Sequence, residues 1–142
     1  MIALLLALLL PVQAGPVGEA PVLGPIGRQT LPAKGCAAYL WSGGPRRELV
    51  AMASAEPGQL RLRLDGRTLD VARAGAQGAA GFGFGERIEY RGADVVAVLD
   101  MTVQTRRDLA GGAVVPAATL RIERPGQDVL VAPVAGLIGC AA

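Results

Sequence analysis

Residues 59–71, QLRLRLDGRTLDV, decide the fold class of this chain. Asp65-Gly66 at the centre is a strong hairpin signal, because a type I′ turn needs positive φ at both of its central residues. A two-residue turn at this place produces an apolar face with two cross-strand pairs, Leu62 with Leu69 and Leu60 with Val71. The opposite face carries an ion pair and a polar pair, Arg61 with Asp70 and Arg63 with Thr68. The stretch therefore predicts an antiparallel hairpin with one buried face.

The same two-residue period continues on both sides of the hairpin, from Cys36 to the end of the chain. It predicts further strands at residues 36–42, 48–55, 82–91, 95–107 and 129–140, and one more that ends before Pro125. No segment shows a helical period. About seven to eight short strands in one chain indicate an all-β fold, a single small antiparallel β-sandwich or barrel.

Two Pro-Gly dipeptides predict the turns on either side of these strands. Pro57-Gly58 predicts a type II turn that leads into the hairpin, with three small side chains joining its leucine face, Ala51, Ala53 and Ala55. Pro125-Gly126 predicts a tight turn with two apolar pairs, Ile122 with Val129 and Leu120 with Val131. Because that register sets Glu123 against Asp128, a four-residue loop is the alternative. Pro133 and Gly136 predict an interruption or bulge in the last strand.

The amino terminus, MIALLLALLLPVQA, has the features of an export signal. Its apolar run is too short for a membrane span, and small residues precede a cleavage site after Ala14. A buried N-terminal strand or helix is the alternative. We therefore divide the chain into a signal peptide (1–14), a flexible Pro/Gly-rich tether (15–34) and an antiparallel β domain (35–142).

The two cysteines, Cys36 and Cys140, lie near the ends of the predicted β domain. In an exported protein an even pair of cysteines predicts a disulfide, which here ties the first strand to the last. A metal pair or a reactive thiol is the alternative, although the chain has no histidine. An oxidising compartment, the periplasm or the exterior, follows from this interpretation.

Composition and charge exclude several classes of protein. The chain is 51% apolar and 18% charged, which excludes a disordered domain, and its 20 glycines and 10 prolines argue against a helical bundle. The formal net charge is +2, and acidic and basic residues alternate along the chain, so we expect no nucleic-acid partner. The glycine-rich segment 75–85 runs into a strand and not into a helix, which predicts a mobile rim loop and not a phosphate site.

Five aromatic side chains form the candidate binding surface: Tyr39, Trp41, Phe82, Phe84 and Tyr90. Tyr39 and Trp41 share one face of the first strand, beside a flexible Ser-Gly-Gly loop, as in surfaces that recognise carbohydrate or protein. Phe82, Phe84 and Tyr90 share a face of a later strand, where bare glycines admit a close neighbour or a flat ligand. Burial in the core is the alternative interpretation for both groups.

The inventory of reactive side chains argues against an enzyme. Without histidine there is no Ser-His-Asp or Cys-His arrangement, and the only lysine, Lys34, lies in or beside the tether. Asp65 and Asp70 lack the ligand series of a calcium loop. We expect no catalytic, metal or cofactor site. A hydrolase that uses two carboxylates, such as Glu86 or Asp100, is a remote alternative.

The first functional hypothesis is an exported, non-enzymatic β domain that binds an envelope protein or a polysaccharide. The second is an inhibitor of a wall-degrading or proteolytic enzyme, because the general plan and the Asp65-Gly66 hairpin resemble those of the periplasmic C-type lysozyme inhibitors. That likeness implies a small exported β barrel with a disulfide. It transfers no functional residue, because their signature loop is rich in serine and residues 75–85 contain none.

Overall fold

The structure, a computed structural model, describes residues 18–142, which are all-β. The predicted signal peptide lies outside the described residues. The strands of the described part are β1 (Leu23–Gly24), β2 (Cys36–Ser42), β3 (Leu49–Ser54), β4 (Gln59–Leu64), β5 (Arg67–Gln77), β6 (Arg87–Gly92), β7 (Val95–Gln104), β8 (Gly112–Glu123) and β9 (Leu130–Cys140).

The strands β2 to β9 form a closed antiparallel barrel in which each strand pairs with its neighbours in the sequence. The ring closes where β9 pairs with β2, with Cys36 directly opposite Cys140. These cysteines form the predicted disulfide, with an S–S distance of 2.05 Å. Of the two predicted architectures, the structure is therefore the barrel, and the disulfide joins its first and last strands.

The hairpin predicted at residues 59–71 is confirmed pair by pair. Asp65 and Gly66 have φ angles of 50° and 81°, as a type I′ turn requires. All four predicted cross-strand pairs are present: Leu62 with Leu69, Leu60 with Val71, Arg61 with Asp70 and Arg63 with Thr68. The three leucines of β4 are fully buried and point into the barrel.

The registers predicted at both Pro-Gly turns need correction. Ala53 pairs with Leu60 and Ser54 with Gln59, so a four-residue loop stands where a type II turn was predicted, and Gly58 lacks the positive φ of that turn. Ala51, Ala53 and Ala55 nevertheless face inward as predicted, because the observed register differs from the predicted one by two residues, and a shift of two keeps each side chain on the same face. At the other dipeptide the tight turn is present, since the amide of Gln127 donates to the Arg124 carbonyl at 3.2 Å and Gly126 has a φ of 73°, but Ile122 pairs with Leu130, not with Val129. The loop is longer than predicted, and within it Gln127 pairs with Gly18 and the amide of Asp128 donates to the Gly18 carbonyl.

Two further strand predictions differ from the structure. Residues 82–86 belong to a loop and not to β6, because Phe82 and Gly83 adopt φ angles of 59° and 86°, which no strand accommodates. Strand β9 is continuous through Pro133 and Gly136, where an interruption or bulge was predicted. The bulge lies on the neighbouring strand β8, between Val115 and Ala118.

The segment from Gly18 to Lys34, assigned to the tether, follows the barrel in the structure. Strand β1 pairs with β4. Further along, the Tyr39 hydroxyl donates to the Thr30 carbonyl at 3.2 Å, and Leu31 lies against Gly139 on β9. The segment covers part of the outer faces of β2, β3 and β4. The site described below is found on the outer faces of β8 and of the part of β9 that precedes Gly139.

Candidate binding groove

The outside of the barrel has two walls of different chemistry. The charged wall, strands β4 to β7, carries ion pairs between or along strands: Arg61 with Asp70 at 2.8 Å, Arg87 with Asp100 at 3.0 Å and Arg91 with Glu89 at 2.9 Å. The uncharged wall consists of β2, β3, β9 and residues 112–120 of β8. It contains no Asp, Glu, Lys or Arg. Any surface on this wall that the N-terminal segment leaves open is therefore uncharged, and its polar side chains are few, among them Ser42 and Thr119.

A bulge in β8 shapes the open part of the uncharged wall. Val115 pairs with Gly136 and Ala118 with Val134, so Pro116 and Ala117 oppose a single residue of β9, Ala135. Pro116 has no backbone N–H to donate to a neighbouring strand, and a bulge bends its strand. The bulge lies within a concave surface that Pro116, Ala117 and residues 133–137 of β9 line together.

Trp41 forms one side of this concavity, and Gly136 allows it to do so. Trp41 lies on the outer face of β2, where it is partly buried. A Cβ placed on Gly136 would lie 3.1 Å from Cε3 of the indole and would also collide with the Tyr39 carbonyl oxygen. Because glycine has no Cβ, β9 and the indole ring can approach each other closely.

The result is a groove of about 710 Å³, which we call the Trp41 groove. Side chains of β2, β8 and β9 line it, among them Trp41, Pro116, Ala117, Pro133, Ala135 and Leu137, and the Gly43-Gly44 loop with Arg47 closes one end. The loop is held by Ser42, whose hydroxyl donates to the Arg46 carbonyl at 3.1 Å and accepts from the Glu48 amide at 3.2 Å. Arg47 is the one charged side chain of this lining.

The exposed apolar row on β9 continues the groove surface. Val131 is 55% exposed and Leu137 is 47% exposed, and Pro133 and Ala135 lie between them on the same face. This row follows from the register of β9, since a slip of one residue turns every side chain to the other face. The predicted register paired Leu120 with Val131, whereas Leu120 pairs with Ala132 and Arg121 with Val131, so the row was not predicted.

A second depression, of about 690 Å³, adjoins the Trp41 groove on the β7 side. The two share Ala117, Ala118 and Pro133 as part of their lining. We call it the Glu86 depression, and its other lining residues include Glu86, Asp100, Thr102 and Thr119. The apolar groove therefore has Arg47 at one end and continues at the other toward two carboxylates.

The structure separates the five aromatic candidates into two groups. Tyr39 and Trp41 lie outside the barrel, and partial burial raises the pKa of the Tyr39 hydroxyl. Phe84 and Tyr90 are only 4% and 1% exposed, so the binding-surface interpretation is wrong for them and they belong to the core. Phe82 is partly buried and packs against that core. Burial raises the pKa of Tyr90 to about 12, although the nearby positive charge of Arg73 lowers it.

The loop that carries Phe84 closes one end of the barrel. Phe84 turns inward from residues 78–86, and the amide of Phe84 donates to the Gly81 carbonyl at 3.0 Å. Gly83 passes so close to β3 that a Cβ on it would lie 2.9 Å from Cβ of Ala55. The close neighbour expected beside the glycines of this segment is, for Gly83, Ala55. The aromatic side chains Phe82, Phe84 and Tyr90 pack in or against the core.

The cysteine and serine side chains of the described residues all form structural bonds. Both cysteines form the disulfide. The Ser54 hydroxyl donates a hydrogen bond to the Pro57 carbonyl at 2.7 Å, and the Ser42 hydroxyl donates one to the Arg46 carbonyl. Residues 18–142 contain no group of three or more Cys, Asp or Glu side chains that would hold a metal ion. This same part of the chain includes no helix with the length and apolarity to cross a membrane.

Comparison with protein-family models, with curated proteins and with solved structures gives no match to this chain.

Proposed function

We propose that this protein is an exported, non-enzymatic binding module that recognises an envelope protein or polysaccharide through the Trp41 groove. The observation that carries the proposal is the composition of the open part of the uncharged wall. Soluble proteins rarely leave a contiguous apolar surface without a partner. Here an indole, two prolines and a leucine line a concave part of such a surface.

Export is supported by the disulfide and by the signal-like amino terminus. A disulfide in a small domain is typical of an oxidising compartment. The apolar run that precedes Pro11 has the length of a signal-peptide core. We place the protein in the periplasm or outside the cell on these grounds.

The absence of catalysis is supported by the state of the reactive groups. The chain has no histidine, and its two serines hold backbone carbonyls of neighbouring loops. A pair of carboxylates would have to use Asp100, which is already paired with Arg87 at 3.0 Å. These facts favour binding over hydrolysis as the role of the grooves.

Affinity capture with a matched pair of variants tests the proposal. The oxidised mature domain, beginning at Gly15, is presented to periplasmic and envelope extract of its own source. Ala117→Arg places a charge in the groove, and Ala74→Arg places the same charge on an exposed position of β5 in the charged wall. A saturable partner that is lost with Ala117→Arg and kept with Ala74→Arg is the expected result. A partner that Ala117→Arg also retains, or the recovery of none by the wild type, overturns the proposal.

An inhibitor of a wall-degrading enzyme is the second candidate, and the loop of residues 43–47 at the edge of the groove favours it. Arg46 and Arg47 are exposed at the groove edge, and neither makes an ion pair within residues 18–142. Many glycosidases carry a pair of carboxylates in their clefts, to which such a loop is complementary. Addition of equimolar protein to several lysozymes should slow turnover if this candidate is right, and Arg47→Ala should relieve the inhibition.

A further inference from the structure

The Trp41 groove has few hydrogen-bonding side chains for its size. The hydroxyl of Ser42 already donates a hydrogen bond to the Arg46 carbonyl and accepts one from the Glu48 amide. Apart from Trp41 and Arg47, the remaining side chains of the lining are alanine, proline, valine and leucine. A sugar can stack its C–H face on an indole, but its hydroxyls also need polar partners that replace water, and this groove offers few. Apolar side chains of a polypeptide fit this floor better.

The groove and the Glu86 depression form one continuous path over four neighbouring strands. Trp41 lies on β2, Pro133 on β9, Ala117 on β8 and Thr102 on β7. Neighbouring strands lie about 4.8 Å apart, so three gaps correspond to roughly 14 Å, to which the loops at both ends add. An extended chain advances about 3.3 Å per residue, so the path fits about four to six residues.

The two ends of this path carry opposite charges. Arg47 stands at the β2 end and Glu86 at the β7 end. Within the described part of the chain neither side chain has an ion-pair partner, whereas Asp100 beside Glu86 is paired with Arg87. The path is thus apolar in its middle, and within the described residues it has an unpaired positive group at one end and an unpaired negative group at the other.

We propose that the ligand of the Trp41 groove is an extended polypeptide segment of about four to six residues with an apolar, proline-compatible centre, an acidic residue that pairs with Arg47 and a basic residue that pairs with Glu86. This inference rests on the proposed binding function and adds the class and polarity of the ligand. The order of charges sets the direction in which the segment lies.

Selection from a displayed library of random heptapeptides tests the proposed polarity. The baits are the oxidised wild type and the variant Arg47→Glu, which is altered at one exposed position and has a negative group at both ends of the path. We expect the wild type to enrich peptides with an apolar centre and opposite charges at the two ends, and the variant to enrich peptides with a basic residue at both ends, whichever direction they lie. Each matched charge should strengthen binding by up to about fivefold, the upper limit for an exposed ion pair. Wild-type peptides without charged ends, or the same end charges on both baits, overturn the inference.

A second measurement separates this failure from failure of the binding function. Trp41 is the only tryptophan of the chain, so its emission reports occupation of the groove. If soluble peptidoglycan fragments shift the emission and no peptide with the predicted end charges is enriched, the ligand is a polysaccharide. The polypeptide inference is then wrong, and the binding function stands. Peptides selected by the wild type should shift the emission, and Ala117→Arg should abolish the shift.

Discussion

The charged wall and the uncharged wall have equivalent inner faces and different outer ones. Inside, leucines of β4 and valines or alanines of β8 are equally buried. Outside, the charged wall exposes charged side chains, some of them paired, such as Arg61 and Arg87, whereas the open part of the uncharged wall exposes Val131 and Leu137. The core needs only one face of each strand, so the other face is free to vary. The comparison teaches that a binding face is to be sought on the wall whose exposed side chains are apolar.

The largest expected effect concerns the seam of the uncharged wall, where β2 meets β9. Replacing both Cys36 and Cys140 by alanine removes a cross-link between residues 104 apart in the sequence. We expect a loss of about 4–5 kcal/mol in the free energy of unfolding, because the unfolded chain gains entropy. Urea unfolding of the variant and of the reduced wild type should agree. A loss below about 1 kcal/mol would show that barrel pairing alone closes the seam.

A glycine on each wall makes the next comparison. A Cβ on Gly136 would collide with the Tyr39 carbonyl oxygen, whereas one on Gly75 of β5 would meet no atom within 4 Å. Gly136→Ala should therefore destabilise the barrel by about 3 kcal/mol or more, the upper part of the range for overpacking. Gly75→Ala should be neutral or stabilising by roughly 0.5–1 kcal/mol, since it restricts the unfolded chain. Equal effects in thermal unfolding would remove the role given to Gly136.

Alkaline titration tests the interior behind the charged wall. Burial raises the pKa of Tyr90 to about 12, above its usual value near 10 in an unfolded chain. The folded state holds this proton longer, so stability is full below pH 10 and falls as the pH rises from about 10 to about 12, by about 2–3 kcal/mol.

The control for this titration is Tyr90→Phe, which should lose most of the alkaline dependence. Tyr39, whose pKa burial also raises, supplies a smaller part with the same sign. Absorbance of ionised tyrosine and unfolding free energy should be followed together. An unchanged slope in Tyr90→Phe would contradict the assignment.

The smallest effect is expected from the ion pairs of the charged wall. Arg61 and Asp70 are bonded at 2.8 Å, but both side chains are more than a third exposed. A double-mutant cycle with alanine at both positions should yield a coupling free energy below about 1 kcal/mol, which high salt reduces further. A much larger value would mean that the charged wall, and not the core, sets the stability of the barrel.

Local rules predicted much of the fold. The Asp65-Gly66 turn fixes both φ angles and the register, and the leucines of the hairpin then define the inside of the barrel. The cysteine pair predicted which strands close the ring. These features depend on residues that are neighbours in the sequence or unique in the chain, which is why composition and period suffice for them.

The groove depends on features that local rules do not contain. Its apolar row depends on the register of β9, which follows a loop that is longer than predicted and that contacts Gly18, more than a hundred residues away. Its curvature comes from a bulge at Pro116, whereas the proline that drew attention, Pro133, lies in a regular strand. Of the site, the sequence could indicate Trp41 and its flexible neighbour loop. The exposure of Val131 and Leu137 required the three-dimensional register.

Site-specific photocrosslinking tests the central claim most directly. A photoreactive amino acid at Ala135, in the groove, is compared in cells of the source organism with the same residue at Ala74 on the charged wall. The account predicts a discrete adduct from position 135 and none of that mass from position 74. An identical adduct from both positions, or from position 74 alone, would contradict the assignment of the uncharged wall as the binding face.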